Sequence, residues 1–128
     1  IFGENMMDFT FSSPPYYDQE VYSTDQNDKQ CYNIYPKYED WLEKYWRVTV
    51  KNIKTMLKPD CIFSANIGNQ VNIKMFQLQK DMKRIIEEEG FVLVETINMR
   101  TSRSHLTSKK TSGNYTKLEE IFFFRNTK

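Results

Sequence analysis

Asp8-Phe9-Thr10-Phe11-Ser12-Ser13-Pro14-Pro15-Tyr16 is the stretch that decides how this chain folds. Residues 8–11 read as a short buried strand, and the two prolines end it because neither can donate a ladder hydrogen bond. The corner holds a hydroxyl (Ser13), stiff backbone carbonyls and an aromatic ring (Tyr16) at the carboxyl end of a strand. Open α/β sheets bind their ligands there.

Working outward, residues 16–35 form a long polar stretch in which Tyr16, Tyr17, Tyr22, Tyr32 and Tyr35 alternate irregularly with acids, so a loop is expected. Pro36 precedes a helix whose Trp41, Leu42, Tyr45, Trp46, Val50, Ile53 and Leu57 recur at near-helical spacing. Glu39, Asp40 and Glu43 load its first turns and Lys51, Lys54 and Lys58 its last, as the macrodipole favours, and Lys58-Pro59-Asp60 stops it. Residues 61–67 read as a second strand ended by Gly68-Asn69. A second helix follows, with Met75, Phe76, Leu78, Met82, Ile85 and Ile86 on its apolar face and Gly90 as C-cap. Glu87, Glu88 and Glu89 oppose the dipole there, a placement that favours fraying of the last turn. Residues 91–97 are the third strand, residues 100–116 a polar mobile loop, and residues 118–125 the last strand. The order strand, helix, strand, helix, strand, strand implies parallel pairing through right-handed crossovers, with the last two strands as an antiparallel hairpin at one edge.

The 128 residues fit one domain with a modest core, and a net charge of +1 gives no global basic field for nucleic acid. Cys31 and Cys61 lack metal-ligand spacing and read as free thiols in a reducing cytosol. No stretch reads as a membrane helix or a signal peptide, and His105 has no metal partner, so no metal site is expected. The chain opens on Ile1-Phe2 without an initiator Met, as a piece of a larger protein would.

Ser13-Pro14-Pro15-Tyr16 resembles the catalytic motif of the S-adenosylmethionine-dependent DNA amino-methyltransferases: Asp, Asn or Ser, then Pro-Pro, then an aromatic. Its surroundings are similar too: DFTFSSPPYYDQEVYS (residues 8–23), YPKYEDWLEKYW (35–46), LKPDCIFSANIGN (57–69) and KLEEIFFFRN (117–126) look like the carboxyl half of such enzymes. The resemblance implies an α/β fold, a partial Rossmann-like methyltransferase sheet, mostly parallel, whose final strand inserts antiparallel as part of a C-terminal hairpin. It implies S-adenosylmethionine as cofactor, DNA as partner, and a restriction-modification setting. One departure stands out. The family's Gly-rich cofactor loop is missing, since Gly3, Gly68, Gly90 and Gly113 form no cluster. Residues 1–128 therefore read as the carboxyl-terminal half of a catalytic domain. The cofactor loop would come from a missing N-terminal segment or a second chain.

The chemistry implied is methyl transfer to the exocyclic amino nitrogen of cytosine or adenine. That nitrogen is a poor nucleophile because its lone pair is delocalised into the ring. By the resemblance, the Ser13 side-chain oxygen and the Pro14 carbonyl accept its two hydrogens, Pro15 keeps the turn rigid, and Tyr16 stacks on the base. The target base must first leave its duplex. Ser in place of Asp tilts the choice toward cytosine and leaves adenine open. Tyr17 is a candidate base-flanking residue, or part of a loop packed on its own rings. Asn66 and Asn69 line a substrate cleft or serve turn chemistry. Arg100 and Arg103 are candidate phosphate contacts in a basic loop, or plain surface. Two rivals stay open: a methyltransferase acting on RNA or protein amide nitrogen, and a non-catalytic subunit that completes another chain's sheet.

Overall fold

A computed structural model describes residues 3–14, 31–68, 73–101 and 117–128. Four strands, β1 (Met7–Ser12), β2 (Leu57–Gly68), β3 (Phe91–Thr101) and β4 (Lys117–Asn126), form one sheet in the order β1-β2-β4-β3. β1 pairs parallel with β2, and β4 runs antiparallel to both β2 and β3. Three strands thus share one direction. The expected hairpin exists, with β4 wedged inside the sheet and β3 left at the edge.

Helix α1 (Cys31–Ile34) is a single turn within a stretch expected to be all loop. Helix α2 covers residues 38–56 in three continuous pieces: Tyr38–Asp40, a π-helical turn at Trp41–Trp46, and Arg47–Met56. The Arg47 N–H bonds back to the Leu42 carbonyl, five residues earlier. Such a turn carries residues five apart onto nearly the same face. Trp41 and Trp46 are consequently both fully buried, which a regular α-helix would not arrange. Helix α3 spans Ile73–Glu88.

Several boundaries correct the sequence reading. Lys58-Pro59-Asp60 does not merely stop α2, because β2 already begins at Leu57. Between Met7 and Phe9 the partner register jumps from Leu57 to Ile62, so Pro59 and Asp60 lie in a bulge. Asp60 takes the left-handed backbone there, at φ 62°. β3 runs on to Thr101, so Arg100 pairs with Leu118 inside the sheet and is not a loop residue.

One face of the sheet meets both long helices. Phe63, Ala65 and Ile67 of β2, Phe122 and Phe124 of β4 and Phe91 of β3 share a core with Trp41, Leu42, Trp46, Val50 and Ile53 of α2 and with Leu78, Met82, Ile85 and Ile86 of α3. The side chains of Met75 and Phe76 lie outside the description. Phe63 packs edge-on to Phe91 at 5.6 Å and lies 6.3 Å from Phe124, and each such pair adds about 0.5–1.5 kcal/mol beyond its buried area. The Trp46 indole N–H donates to the Met82 carbonyl at 3.1 Å and fixes α2 on α3.

Helix α3 stays helical through Glu88, although fraying of this last turn was expected. Arg47, reaching across from α2, donates to Glu88 at 2.6 Å and to Glu89 at 2.8 Å while also holding Glu43 at 2.6 Å. Two of the three acids that oppose the dipole, Glu88 and Glu89, are thereby paired by a neighbouring helix. Gly90 follows at φ 88°, and its N–H bonds the Glu87 carbonyl to close the helix.

The end of α2 is closed by Asn5, Met6 and Lys128. Asn5 N–H donates to the Thr55 carbonyl at 3.0 Å and Met6 N–H to that of Met56 at 2.8 Å. The Lys128 ammonium donates to the Lys54 and Thr55 carbonyls at 3.1 and 3.0 Å and to Asn5 Oδ1 at 2.6 Å. A cation at a helix C-terminus is favoured by the dipole as well.

Candidate functional site at the carboxyl edge of the sheet

β1 ends where Ser12 pairs with Ala65. Beyond it, Ser13 is exposed and Pro14 is buried. The hydroxyl-bearing residue therefore faces outward while the first proline anchors the corner in the fold. Pro15, Tyr16, Tyr17, Asn69 and Arg103 lie outside the described residues.

β2 carries Asn66 and Gly68 to the same edge. Asn66 is 8 % exposed and sits within the strand, paired with Ile121, so turn chemistry does not account for it. Its Nδ2 donates to Glu119 Oε2 at 3.1 Å. β4 enters the sheet at this edge because it runs antiparallel, and it brings Glu119 and Glu120 with it. Gln79 of α3, itself buried, donates from Nε2 to the Ile67 carbonyl at 3.0 Å and to Glu120 Oε2 at 2.9 Å. The edge thus gathers Ser13, Pro14, Asn66, Glu119, Glu120 and Gln79. Sequence reasoning missed the last three. The available signal was topological: a final strand inserted antiparallel must deliver its first residues to the carboxyl edge.

Arg100 reaches this end of the sheet too, but on β3, three strands from β1. At about 4.8 Å per strand that is roughly 14 Å from Ser13, too far to share one small group with it. Arg100 is exposed.

The strongest electrostatic features lie away from the double-proline corner. The Tyr38 hydroxyl donates to Asp81 Oδ2 at 2.7 Å, and burial followed by that bond pushes its ionisation well above the ordinary range. The Arg47 guanidinium holds the carboxyls of Glu43 and Glu88 below the usual carboxylate range. A cavity of about 630 Å³ along α3 is lined by Gln79, Lys80, Asp81, Lys83, Arg84 and Glu87 and shares no residue with the double-proline corner. Among the described residues, no group of His, Cys, Asp and Glu is arranged to hold a metal ion. Cys61 is a free thiol, and Cys31 is described in its backbone alone.

No family model matches the sequence. A bifunctional chorismate mutase/prephenate dehydratase of Buchnera aphidicola is 27 % identical over 70 residues, which cover 55 % of this chain and 18 % of that protein. A match so short and local transfers neither activity. Solved structures match almost end to end. A protein of Thermus thermophilus, provisionally assigned as a DNA modification methylase, superposes with a TM-score of 0.61 at 22 % identity over 99 % of this chain and 49 % of that one. The same protein complexed with S-adenosyl-L-methionine gives a TM-score of 0.61 at 21 % identity, over 99 % of this chain and 50 % of that one. A methyltransferase of Thermoplasma acidophilum, also provisionally assigned, gives 0.52 at 13 % identity over 98 % of this chain and 41 % of its own. The chain spans about half the length, or less, of these structures, and its α/β fold is that of the corresponding part of methyltransferase-type proteins.

Proposed function

We propose that this chain is the carboxyl-terminal half of a catalytic domain that transfers a methyl group from S-adenosylmethionine to the exocyclic amino nitrogen of cytosine or adenine in DNA. One observation carries the reading. An exposed Ser13 followed by a buried Pro14 stands at the carboxyl end of β1, in a sheet whose antiparallel β4 inserts between β2 and β3. The likeness to a methylase solved with S-adenosyl-L-methionine supports the same reading.

The work of these residues is to hold and polarise the amino group. Ser13 Oγ and the Pro14 carbonyl accept its two hydrogens, which favours a pyramidal nitrogen and localises the lone pair. Burial of Pro14 fixes its carbonyl before substrate arrives, so little reorganisation is needed. Tyr16 supplies the stacking face, and Asn66, placed one residue beyond the last β1–β2 pair, borders the same cleft. Tyr17, Asn69, Arg100 and Arg103 contribute to holding the polynucleotide.

The cofactor does not fit the residues of this chain. Among the described residues, Gly68 is buried at the end of β2, Gly90 closes α3 and Gly3 packs near Met6, and these three form no glycine cluster that could cradle it. On this reading the binding loop is supplied by a missing N-terminal segment or a second chain. This observation favours one second reading, a subunit that is inactive alone. Calorimetry separates the two, because micromolar S-adenosylmethionine binding by the isolated chain excludes it. A reducing cytosol suits the free Cys61 thiol, and no helix among the described residues is long and apolar enough to cross a membrane.

The test uses the intact protein with methyl-labelled cofactor and, in parallel, DNA, RNA and protein. Label in the cytosine or adenine amino group of DNA is expected. Label confined to RNA or to protein amide nitrogen would move the substrate, and none anywhere would end the methyl-transfer reading.

A further inference from the structure

β4 enters the carboxyl edge on two consecutive acids, and alternation along a strand sends their side chains to opposite faces of the sheet. Glu120 goes to the helix face, where Gln79 of α3 donates from Nε2 to the Ile67 carbonyl and to Glu120 Oε2. Glu119 goes to the other face and accepts from Asn66 Nδ2 at 3.1 Å. The two bonds are alike in kind, amide to carboxylate, and both brace the end of β2. They differ in what stands beside them. Carrying the β1–β2 register one residue past the Ser12–Ala65 pair sets Ser13 opposite Asn66, on the face of Asn66 and not of Gln79. Neighbouring strands lie about 4.8 Å apart, so one amino nitrogen can meet both side chains.

The bond to Glu119 also fixes which way round the Asn66 amide lies. A primary amide has a donor end and an acceptor end of nearly equal size, and its neighbours choose between them. A carboxylate accepts and does not donate, so Asn66 turns its NH2 to Glu119 and its oxygen away. Asn66 is only 8 % exposed, so close packing leaves the side chain little room to swing instead.

We propose that Glu119 is a positioning residue for substrate choice, acting through Asn66. By holding the Asn66 amide with its oxygen turned away from β4, on the face of Ser13, it makes this wall of the cleft an acceptor. Such a wall admits a base that carries an amino group and rejects the oxo base of the same shape: cytosine over uracil, adenine over hypoxanthine. An oxo group there would meet the amide oxygen lone pair to lone pair, and a buried acceptor denied its donor costs affinity. The inference rests on the amino-bearing target proposed above and names the residue that keeps the acceptor turned the right way.

The test measures binding by the intact protein, without S-adenosylmethionine, by fluorescence anisotropy. Its probes are four duplexes alike except for one central base, cytosine, uracil, adenine or hypoxanthine, set opposite an abasic position so that no pair must be broken. Wild type is expected to bind an amino base about tenfold or more tightly than its oxo counterpart, as one hydrogen bond made against one refused would give. In Glu119→Gln the new amide donates as well as accepts, Asn66 can lie either way round, and the preference should fall to about twofold or less. In the double variant Asn66→Asp with Glu119→Gln, the new amide donates to the new carboxylate, whose second oxygen keeps an acceptor in the cleft, and the preference should return. Glu120→Gln, the same exchange on the helix face, should keep the wild-type preference. A loss of fold weakens binding of both bases together and leaves their ratio alone, so the ratio reports positioning and not stability. Four results overturn the proposal: no amino preference in wild type, a preference untouched by Glu119→Gln, one lost equally in Glu120→Gln, or one that the double variant fails to regain. A Glu119-dependent preference without methyl transfer would sink the proposed function alone, and methyl transfer with a preference indifferent to Glu119→Gln would sink this inference alone.

Discussion

Ser13 and Pro14 are consecutive and yet one is exposed and the other buried, which is how a rigid corner presents a hydroxyl. In an intact, active form of the protein, Ser13→Ala is expected to lower turnover roughly tenfold to a hundredfold, the worth of one hydrogen bond made where charge develops. S-adenosylmethionine affinity should stay unchanged, and single-turnover kinetics beside cofactor titration would check the split. Tyr16→Ala should instead weaken retention of the flipped base by about 1–3 kcal/mol. Wild-type rates in both variants would remove the assigned roles. Gly90 poses a purely structural case. At φ 88° an alanine is strained, and its Cβ would collide with the Lys54 ammonium, which donates to the Glu89 carbonyl. Gly90→Ala should cost about 1 kcal/mol or more by urea denaturation. The corner that ends β1 and the cap of α3 were legible in the sequence because a double proline and a post-helical glycine act locally. The Asn66–Glu119 bond was not, since 53 residues separate its partners and only the strand order brings them together.

Helix α3 ends on acids that its own dipole disfavours, and it holds because α2 supplies Arg47. No reading of α3 alone reveals this, which is why the sequence suggested fraying. The π turn was hidden for a related reason: Trp41 and Trp46 fit a helical stripe loosely, and only packing against Met82 and the sheet selects the wider turn. Arg47→Met should cost about 1–2 kcal/mol at neutral pH, allowing for the partial exposure of its partners. The carboxyls of Glu43 and Glu88 are held below their ordinary range, so their contribution is present above that range and lost as pH falls through the lowered folded values. The gap in stability between wild type and variant should therefore close as pH drops below about 4. Paired urea titrations at pH 7 and pH 3 measure it, and a gap of equal size at both would show that Arg47 acts by packing alone.

Across the whole molecule, the alternation of strands and helices in the sequence was enough to give the class and the antiparallel last strand. Alternation alone could not place β4 between β2 and β3, because insertion and simple edge addition leave the same local pattern; the insertion came from the resemblance, and the strand order agrees with it. Which face of the sheet meets the long helices was equally invisible: Phe9 and Phe11 are as apolar as Phe122 and Phe124, and only topology decides which pair packs against them. The meeting of Asn5 and Lys128 over the last turn of α2 has its own consequence. Residues 5 and 128 lie within one side chain's reach, so the fold described here does not depend on the order in which the segments between them are joined. A circular permutant, with Lys128 tied to Gly3 by a short Gly/Ser linker and new ends opened between Thr101 and Lys117, should keep the parent's circular dichroism and its cooperative melt.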